Sequence, residues 1–215
     1  MSKTAKYIPA LRFDWLTPLY DPLLRWGMRE ETFKRRLIHQ ANIQSGQRVL
    51  DLGCGTGTLT ILIKQSVPEA EVVGLDGDPK VLEIARSKAA KAGVNLTLDY
   101  GMAYQLPCPD GSFDRVLSSL VFHHLVREDK QRTMGEVYRV LRPGGEFHLV
   151  DFGKPRGLYG SLLSPFMMRL EEASDNVSGL LPVMMRDAGF MHVEEAAHYT
   201  TIFGTLTSVR ASKPR

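Results

Sequence analysis

The sequence is poor in cysteine and has no long apolar run. Its two cysteines, Cys54 and Cys108, do not have the short spacings of metal or redox motifs, so we predict no metal site and a reducing compartment. No apolar run approaches the roughly 18 residues of a membrane-spanning helix, and the first residues lack the apolar core of a signal peptide. These absences predict a cytoplasmic protein.

A strong charge of either sign is also absent. Lys and Arg number 27 against 24 Asp and Glu, which gives a formal charge of +3, and no block of basic residues occurs. Nucleic acid as a partner is therefore not indicated. The 215 residues suffice for one well-buried α/β domain and are too few for two of ordinary size.

What the sequence does contain is a glycine turn between an apolar strand and a helix. Residues 49–57 read VLDLGCGTG, and the apolar residues around Asp51 suit a buried parallel strand. Glycines let the backbone approach a ligand, and the free N–H groups of the following helix start favour an anion. A second apolar run ends at Asp76, roughly 20 residues after the turn, where a carboxylate can bind a ribose diol.

The spacing of the glycines argues against a dinucleotide. The dinucleotide fingerprint is G-x-G-x-x-G, whereas this turn reads G-x-G-x-G and has Thr58 at the place of the third glycine. Asp51 would also repel a pyrophosphate, whereas it would attract an ammonium or sulfonium group. A ligand with a ribose, a positive charge and one small carboxylate fits these residues, and S-adenosylmethionine is such a molecule.

Two segments resemble motifs of a known enzyme family. VLDLGCGTG at residues 49–57 and VVGLDGDP at residues 72–79 resemble motifs I and II of the class I S-adenosylmethionine-dependent methyltransferases. The resemblance extends over residues 44–151 and 190–210. It implies a doubly wound α/β fold with a seven-stranded, mostly parallel sheet that ends in an antiparallel C-terminal hairpin. It also implies S-adenosylmethionine as the cofactor.

The pattern of apolar residues predicts strands that alternate with helices. One helix is expected over residues 29–43, another is expected to begin at Asp78 and Pro79, and a third is expected to stop at Pro143. The strands expected in the second half of the chain are Phe113–Leu120, Phe147–Val150, Val193–Ala197 and Thr200–Val209.

The resemblance assigns the cofactor pocket to residues near the carboxyl ends of the strands. The cofactor-binding residues that it implies are Tyr20, Asp51, Gly53, Cys54, Gly55, Asp76, Gly77, Met102, Ala103 and Ser119. The sequence departs from the family at residues 101–103, Gly-Met-Ala, where many relatives have Gly-Asp-Ala and the aspartate binds the adenine amino group. We expect Met102 to pack on the purine or simply to close the apolar wall. Cys54 is expected to fill the turn and not to act as a nucleophile.

The fourth predicted strand leads into the sequence SSLVFHHL at residues 118–125. In the family, this segment lines the methionine end of the cofactor and its tail faces the substrate. The HHL tail resembles that of the ubiquinone and menaquinone biosynthesis methyltransferases. His123 and His124 are therefore the candidate catalytic residues, of which at most one is expected to face the methyl group. Structural support of the turn is the alternative. No third ligand stands at a spacing that would make a metal site.

Two segments are predicted to cover the substrate cleft of a core formed by residues 43–151 and 190–215. Residues 1–42 are rich in aromatic and apolar residues, and residues 152–189 are rich in Leu and Met. Ordinary core packing is the alternative for both. A group of basic side chains is expected on the outer face of residues 1–42, where it could contact an anionic membrane: Arg25, Arg29, Lys34, Arg35 and Arg36.

We therefore predict an enzyme that transfers a methyl group from S-adenosylmethionine to a small, hydrophobic acceptor. The alternatives are a non-catalytic S-adenosylmethionine-binding protein and an NAD-dependent oxidoreductase. A nucleic-acid methyltransferase is disfavoured by the charge and by the absence of an Asn/Asp-Pro-Pro-Tyr/Phe motif after the fourth strand. The acceptor atom, whether carbon, nitrogen, oxygen, sulfur or a metalloid, and the oligomeric state stay open.

Overall fold

The structure of the chain is a computed structural model that describes residues 30–157 and 173–215. Tyr20, the rest of the N-terminal stretch and the middle of the Leu- and Met-rich segment lie outside the described residues.

Seven strands of the described residues form one sheet. They are β1 (Arg48–Leu52), β2 (Glu71–Asp76), β3 (Thr97–Tyr100), β4 (Phe113–Ser119), β5 (Leu141–Phe152), β6 (Met191–Thr201) and β7 (Gly204–Ser212). Their order is β3-β2-β1-β4-β5-β7-β6. Strands β1 to β5 are parallel, and β7 is antiparallel to both β5 and β6. The predicted doubly wound sheet with its closing hairpin is confirmed.

Helices cover both faces of this sheet. In the described ranges they are α1 (Glu30–Ala41), α2 (Thr58–Ser66), α3 (Pro79–Lys91), α4 (Arg127–Val140), α5 (Ser174–Val177) and α6 (Leu181–Asp187), with a 3-10 turn at Phe122–His124. None of these helices is long and apolar enough to cross a membrane. The predicted start of α3 is confirmed, because the Asp78 side chain caps it by accepting from the Lys80 amide at 2.8 Å.

One predicted boundary differs at the start of β5. Helix α4 ends at Val140, and Leu141 already pairs with Phe113 of β4. Strand β5 then continues through Pro143, because the register shifts between Phe113 and Arg115 and takes the proline out of the regular ladder. The expected helix stop at Pro143 is therefore slightly too late.

The closing hairpin also differs in detail from the prediction. Strand β6 includes Thr200 and Thr201, which were expected in the final strand. The Thr201 hydroxyl donates to the Gly204 carbonyl at 2.9 Å and accepts from the Phe203 amide at 3.2 Å. The Thr201 side chain thus closes the turn. The sequence pattern could not show this, because β-branched residues such as threonine are also typical of strands.

Alternation along β1 divides its side chains between two cores. Leu50 and Leu52 lie in one core with apolar side chains of α4 and α6, and Val49 lies in the other with those of α1 and α2. Asp51 alternates with Leu50 and Leu52, so its carboxylate is on the face that α1 and α2 cover. It is 1% exposed. The packing of two helices on the sheet therefore buries this carboxylate.

Helix α1 is part of the core, as its apolar pattern predicts. Phe33, Leu37 and Ala41 are buried in one cluster with Leu59 and Ile63 of α2. Detachment of α1 would expose this apolar surface to solvent, so burial stabilises the helix in place. We conclude that α1 belongs to the folded body of the domain.

Lys34 corrects the prediction of a basic outer face. It lies on the buried face of α1 and is only 9% exposed, while Arg35 and Arg36 are exposed. Because α1 packs on the sheet, its residues do not form part of a movable cover. The predicted N-terminal cover is thereby reduced to residues 1–29, which lie outside the described residues.

The end of the predicted substrate-side insertion also packs in the core. Leu181, Met184 and Met185 of α6 are buried in the cluster on the α4 side of the sheet. For these three side chains, ordinary core packing accounts for the apolar sequence.

A chain of polar groups crosses the interface between α1 and the sheet. His148 of β5 is fully buried, with Nε2 3.0 Å from Glu146 Oε2 and Nδ1 3.1 Å from Gln40 Nε2. Gln40 in turn accepts from the Ser208 hydroxyl at 2.9 Å. These partners fit a neutral ring that donates from Nε2 and accepts at Nδ1. Burial lowers the pKa of His148, although the hydrogen bond to Glu146 opposes this.

We expect this lowered pKa to make folding sensitive to mild acid. The unfolded chain binds the His148 proton near pH 6.5 and the folded chain only at lower pH, so stability is complete above about pH 6.5 and is lost as the pH falls toward the folded pKa. The limit is about 1.4 kcal/mol per pH unit for one group. Urea unfolding between about pH 5 and 8 measures this pH dependence of the free energy of unfolding.

The matched variants are His148→Gln and, as a control, His39→Gln at an exposed position of α1. His148→Gln should flatten the pH dependence of the free energy of unfolding, and His39→Gln should not. An unchanged slope in His148→Gln would show that another group carries the effect.

Candidate active site

The candidate site lies where the strand order reverses between β1 and β4, at the carboxyl ends of the strands. The glycine turn of residues 53–57 leaves β1 here and meets the segment that leaves β4. A Cβ on Gly53 would lie 2.4 Å from Val121 Cγ2, and the φ of Gly53 is +69°. Only glycine fits both the contact and the left-handed backbone. Gly55 has a φ of +52°, and its two chain neighbours aside, no atom of the described residues lies within 4 Å of where its Cβ would be.

Most amides of this turn are already bonded within the protein. The Gly53 and Cys54 amides donate to the Leu75 carbonyl at 2.8 and 3.0 Å, and the Gly57 amide donates to the Cys54 carbonyl at 2.9 Å. The Gly55 amide donates to a carboxylate at 2.8 Å. Four of the turn's five amides are thus committed, which leaves little in the turn itself to hold a pyrophosphate.

Asp76, at the end of β2, is the carboxylate that the turn contacts. Its Oδ2 accepts from the Gly55 amide at 2.8 Å, and its Oδ1 accepts from the Asp78 amide at 2.9 Å. Burial raises the pKa of Asp76, although these amides oppose the shift. Each oxygen keeps a further acceptor site, so the predicted role of binding a ribose diol fits this geometry.

Asp51 is the more deeply buried of the two carboxylates. It accepts from the Thr60 hydroxyl of α2 at 2.6 Å. Burial raises the pKa of Asp51 to about 6, against the opposing effects of this hydroxyl and of the Lys34 charge. A desolvated carboxylate with few donors is stabilised by a bound cation, which fits the predicted role. Sequence reasoning did not name Thr60 as a site residue. A hydroxyl side chain in the first helical turn after the glycines is the signal that could have indicated it.

Cys54 points away from the open side of the turn. Its Sγ lies 3.1 Å from where a Cβ of Gly74 in β2 would be, so the side chain fills the space between the two strands. Burial, with the nearby Asp51 and Asp76, raises the pKa of the thiol and keeps it protonated. Cys54 can therefore contribute to cofactor binding through its backbone, and a nucleophilic role has no support.

The segment after β3 forms a second wall of the site. Met102 Sδ lies 2.8 Å from where a Cβ of Gly77 would be, so Met102 packs on the backbone directly after Asp76. Ala103 is partly buried against the core on the α4 side. Met102 thus lies beside the expected ribose position, and its contact with the purine stays a prediction.

The chain leaves β4 through a strained turn. Ser119 ends the strand, and its hydroxyl is buried without a hydrogen-bond partner in the described part of the chain. Leu120 has a φ of +60°, a left-handed conformation that is costly for a branched side chain. This conformation redirects the chain into the 3-10 turn that carries both histidines, and no sequence pattern indicates it.

A hydrogen bond to Asp151 distinguishes the two adjacent histidines. The buried His123 has its Nδ1 2.9 Å from Asp151 Oδ1 and packs edge-on against Phe152, with 4.9 Å between ring centroids. His124 is half-buried, with its ring centroid 4.0 Å from that of His123. The described residues contain no cluster of His, Cys, Asp or Glu that could hold a metal ion.

Asp151, at the end of β5, is surrounded by donors. It accepts from the amides of Val121 at 3.0 Å, Phe122 at 2.8 Å and Phe152 at 2.8 Å, and from Asn176 Nδ2 at 3.0 Å. Burial opposes ionisation, but the histidine and these amides together lower the pKa of Asp151. Sequence reasoning missed Asp151 and Asn176 as site residues. A carboxylate at the carboxyl end of a core strand, as at Asp51, was the available signal.

The first prediction for this site concerns Asp76. If it binds the ribose of S-adenosylmethionine, Asp76→Ala should weaken binding at least about tenfold, because a charged hydrogen bond to a buried partner is worth about 1.5–3 kcal/mol. Titration calorimetry measures the dissociation constant. Asp99→Ala, at an exposed carboxylate of the neighbouring β3, is the control and should bind normally. Unchanged affinity in Asp76→Ala would exclude the ribose role.

The second prediction is a pH dependence of cofactor binding. The free Asp51 has a pKa of about 6, and a cation beside it favours the carboxylate. Affinity for S-adenosylmethionine should therefore be full above about pH 6 and fall below it, by at most about tenfold per pH unit. Adenosine, which lacks the cationic end, is the control ligand, and its affinity should fall less steeply with pH because its ribose contacts Asp76 and not Asp51. The same pH profile for both ligands would contradict the assignment.

Comparison with known proteins agrees with this site. The chain matches the family described as a methyltransferase domain over residues 49–145. It is 36% identical to a demethylmenaquinone methyltransferase of Thermus thermophilus over 162 residues, which are 74% of this chain and 72% of that protein. It is 37% identical to an uncharacterised methyltransferase of Synechocystis over 86% of each chain.

A solved structure shares the fold at low sequence identity. Phosphoethanolamine N-methyltransferase 2 of Haemonchus contortus, in complex with S-adenosyl-L-methionine, has a TM-score of 0.69 and 17% identity and is matched over 86% of this chain and 53% of its own. The matched residues 49–145 contain the glycine turn, Asp76 and both histidines. The chain therefore belongs to the class I S-adenosylmethionine-dependent methyltransferases, and it is an enzyme that uses S-adenosylmethionine as its cofactor.

Proposed function

We propose that this methyltransferase acts on a small, hydrophobic acceptor that carries an ionisable hydroxyl group, of the quinol class. The observation that carries the proposal is the hydrogen bond between His123 and Asp151 at the carboxyl edge of β4 and β5, 2.9 Å long. The Thermus thermophilus relative is named for methylation of demethylmenaquinone, which supports a quinone-like acceptor.

The reaction itself needs alignment and, for such an acceptor, one proton transfer. The acceptor nucleophile forms a bond to the methyl carbon while the carbon–sulfur bond breaks, and the electron pair of that bond stays on sulfur. The hydroxyl proton passes to a base. The products are the methylated acceptor, S-adenosylhomocysteine and the protonated base. Positioning supplies much of the rate, and the base contributes when the hydroxyl pKa lies above the ambient pH.

His123 is the base in this proposal. Its Nδ1 donates to Asp151, so the lone pair of the neutral ring is on Nε2, which takes the proton. Asp151 stays ionised because the His123 ring and surrounding amides lower its pKa. It therefore fixes the tautomer and stabilises the imidazolium that forms, the same arrangement that a carboxylate gives to the histidine of a hydrolase triad.

We further propose that residues 1–29, with Tyr20 against the cofactor, cover the acceptor site. The acceptor's hydrophobicity would bring the enzyme to a membrane surface, which the exposed Arg35 and Arg36 of α1 could face. Arg25 and Arg29 precede them in the sequence and would add to this charge. The direction of α1 supports the proposal. Its last residue, Ala41, is bonded to Arg115 near the beginning of β4, so its first turn lies toward the carboxyl edge of the sheet.

The test of the base compares His123→Gln with His124→Gln. A short-chain naphthoquinol, kept reduced, serves as the acceptor, and release of S-adenosylhomocysteine measures turnover. His123→Gln should lower kcat by roughly 10²–10⁴-fold with unchanged affinity for S-adenosylmethionine. The loss should shrink at high pH, because the acceptor then ionises without a base. His124→Gln is the matched control, and its kcat should stay close to that of the wild-type enzyme.

Two outcomes would contradict the proposal. Near-normal kcat in His123→Gln would reject His123 as the base, and near-normal kcat in both variants would assign both histidines to the structure of the turn. A failure of the wild-type enzyme to methylate any quinol or phenol, with full affinity for S-adenosylmethionine, would reject the acceptor class.

A further inference from the structure

The methionine end of S-adenosylmethionine carries a negative charge that the site described so far leaves unmatched. Its ammonium and sulfonium groups suit Asp51, but its carboxylate needs a donor or a cation. The glycine turn offers little, because four of its five amides already donate within the protein. A cation on another element near Asp51 would match this carboxylate.

Helix α1 brings a lysine to the level of Asp51. The Ala41 carbonyl at the end of α1 accepts from Arg115 Nε at 2.9 Å, near the beginning of β4, so the start of α1 lies toward the carboxyl edge of the sheet. Lys34 is about two helical turns before Ala41, about 10 Å along the helix axis. The same rise along β4 leads from Arg115 to about Ser118, which pairs with Leu52, the residue after Asp51.

Lys34 and Asp51 also share one face of the sheet. Lys34 is on the buried side of α1 with Ile38, and Asp51 is on the face that α1 and α2 cover. Side chains of a helix lean toward its N-terminus, which here is the carboxyl edge where the cofactor binds. In keeping with this placement, the charge of Lys34 lowers the pKa of Asp51.

The ion pair that Lys34 forms does not explain why this lysine is buried. Its amine lies 2.5 Å from Glu30 Oε1, one turn earlier on α1. Arg35 and Glu31 form the same kind of pair on the same helix, yet their side chains are 58% and 71% exposed. A lysine is costly to bury, and a solvent-facing pair would serve the helix equally well.

We infer that Lys34 binds the carboxylate of the methionine moiety of S-adenosylmethionine. Lys34 and Asp51 then form two oppositely charged ends of one subsite, matched to the carboxylate and the cations of the cofactor. The subsite orients the methionine moiety, because a reversed placement would bring like charges together. This inference rests on the cofactor and is independent of the proposed acceptor.

The test compares S-adenosylmethionine with its decarboxylated analogue by titration calorimetry. The wild-type protein should bind S-adenosylmethionine at least about tenfold more tightly, as expected for one charge-assisted hydrogen bond. Lys34→Met keeps the length and burial of the side chain and should abolish this preference. Lys34→Arg should retain most of it. Arg35→Gln, which breaks the matched exposed pair, should behave as wild type.

The ratio of the two affinities separates the inference from a general effect on the fold or on Asp51, because such an effect changes binding of both ligands equally. An equal loss for both ligands in Lys34→Met would overturn the inference. So would a wild-type protein that does not distinguish the two ligands, a result that needs no variant to fold.

Discussion

The burial of carboxylates at the carboxyl edge of the sheet is the constraint on which this site depends. Strands β1, β2 and β5 each place an aspartate there, and a buried carboxylate must be hydrogen-bonded or lose its charge. Asp151 accepts from three amides and two side chains, Asp76 from two amides and Asp51 from one hydroxyl. The pKa of each carboxyl group is lower where it accepts more hydrogen bonds. It is lowered at Asp151, raised at Asp76 and raised to about 6 at Asp51.

This difference in the number of hydrogen-bond donors suits the three aspartates to different roles. Asp151 is satisfied within the protein, so it acts as a fixed charge that orients His123. Asp76 bonds the glycine turn and keeps acceptor capacity toward the open side, where Gly55 leaves space. Asp51 has the fewest hydrogen-bond donors of the three, so its negative charge is the one that a nearby cation stabilises most. On this assignment, Asp76 and Asp51 would select the cofactor, because it supplies the hydroxyl donors and the cation that these two carboxylates can still bind.

In the proposed reaction, one face of the sheet holds the groups for the cofactor and the other holds those for the acceptor. Alternation along β1 turns Asp51 toward α1 and α2, where Thr60 contacts it and Lys34 lies at its level. The groups around Asp151 come from β5, the turn after β4 and helix α5. In the proposed reaction, a sulfonium held on one side and a base held on the other would meet at the reversal of strand order, where both segments reach the same edge.

The sequence by itself determined the fold class, the cofactor and the two carboxylates of the motifs, because strand periodicity, glycine spacing and residue order are local signals. It also placed Phe33 and Leu37 on the core side of α1. Only the tertiary structure decided that Lys34 is buried and that Asp151 fixes one of two adjacent histidines. Those facts depend on which helix face meets the sheet and on a left-handed turn at Leu120, which residues distant in the chain impose.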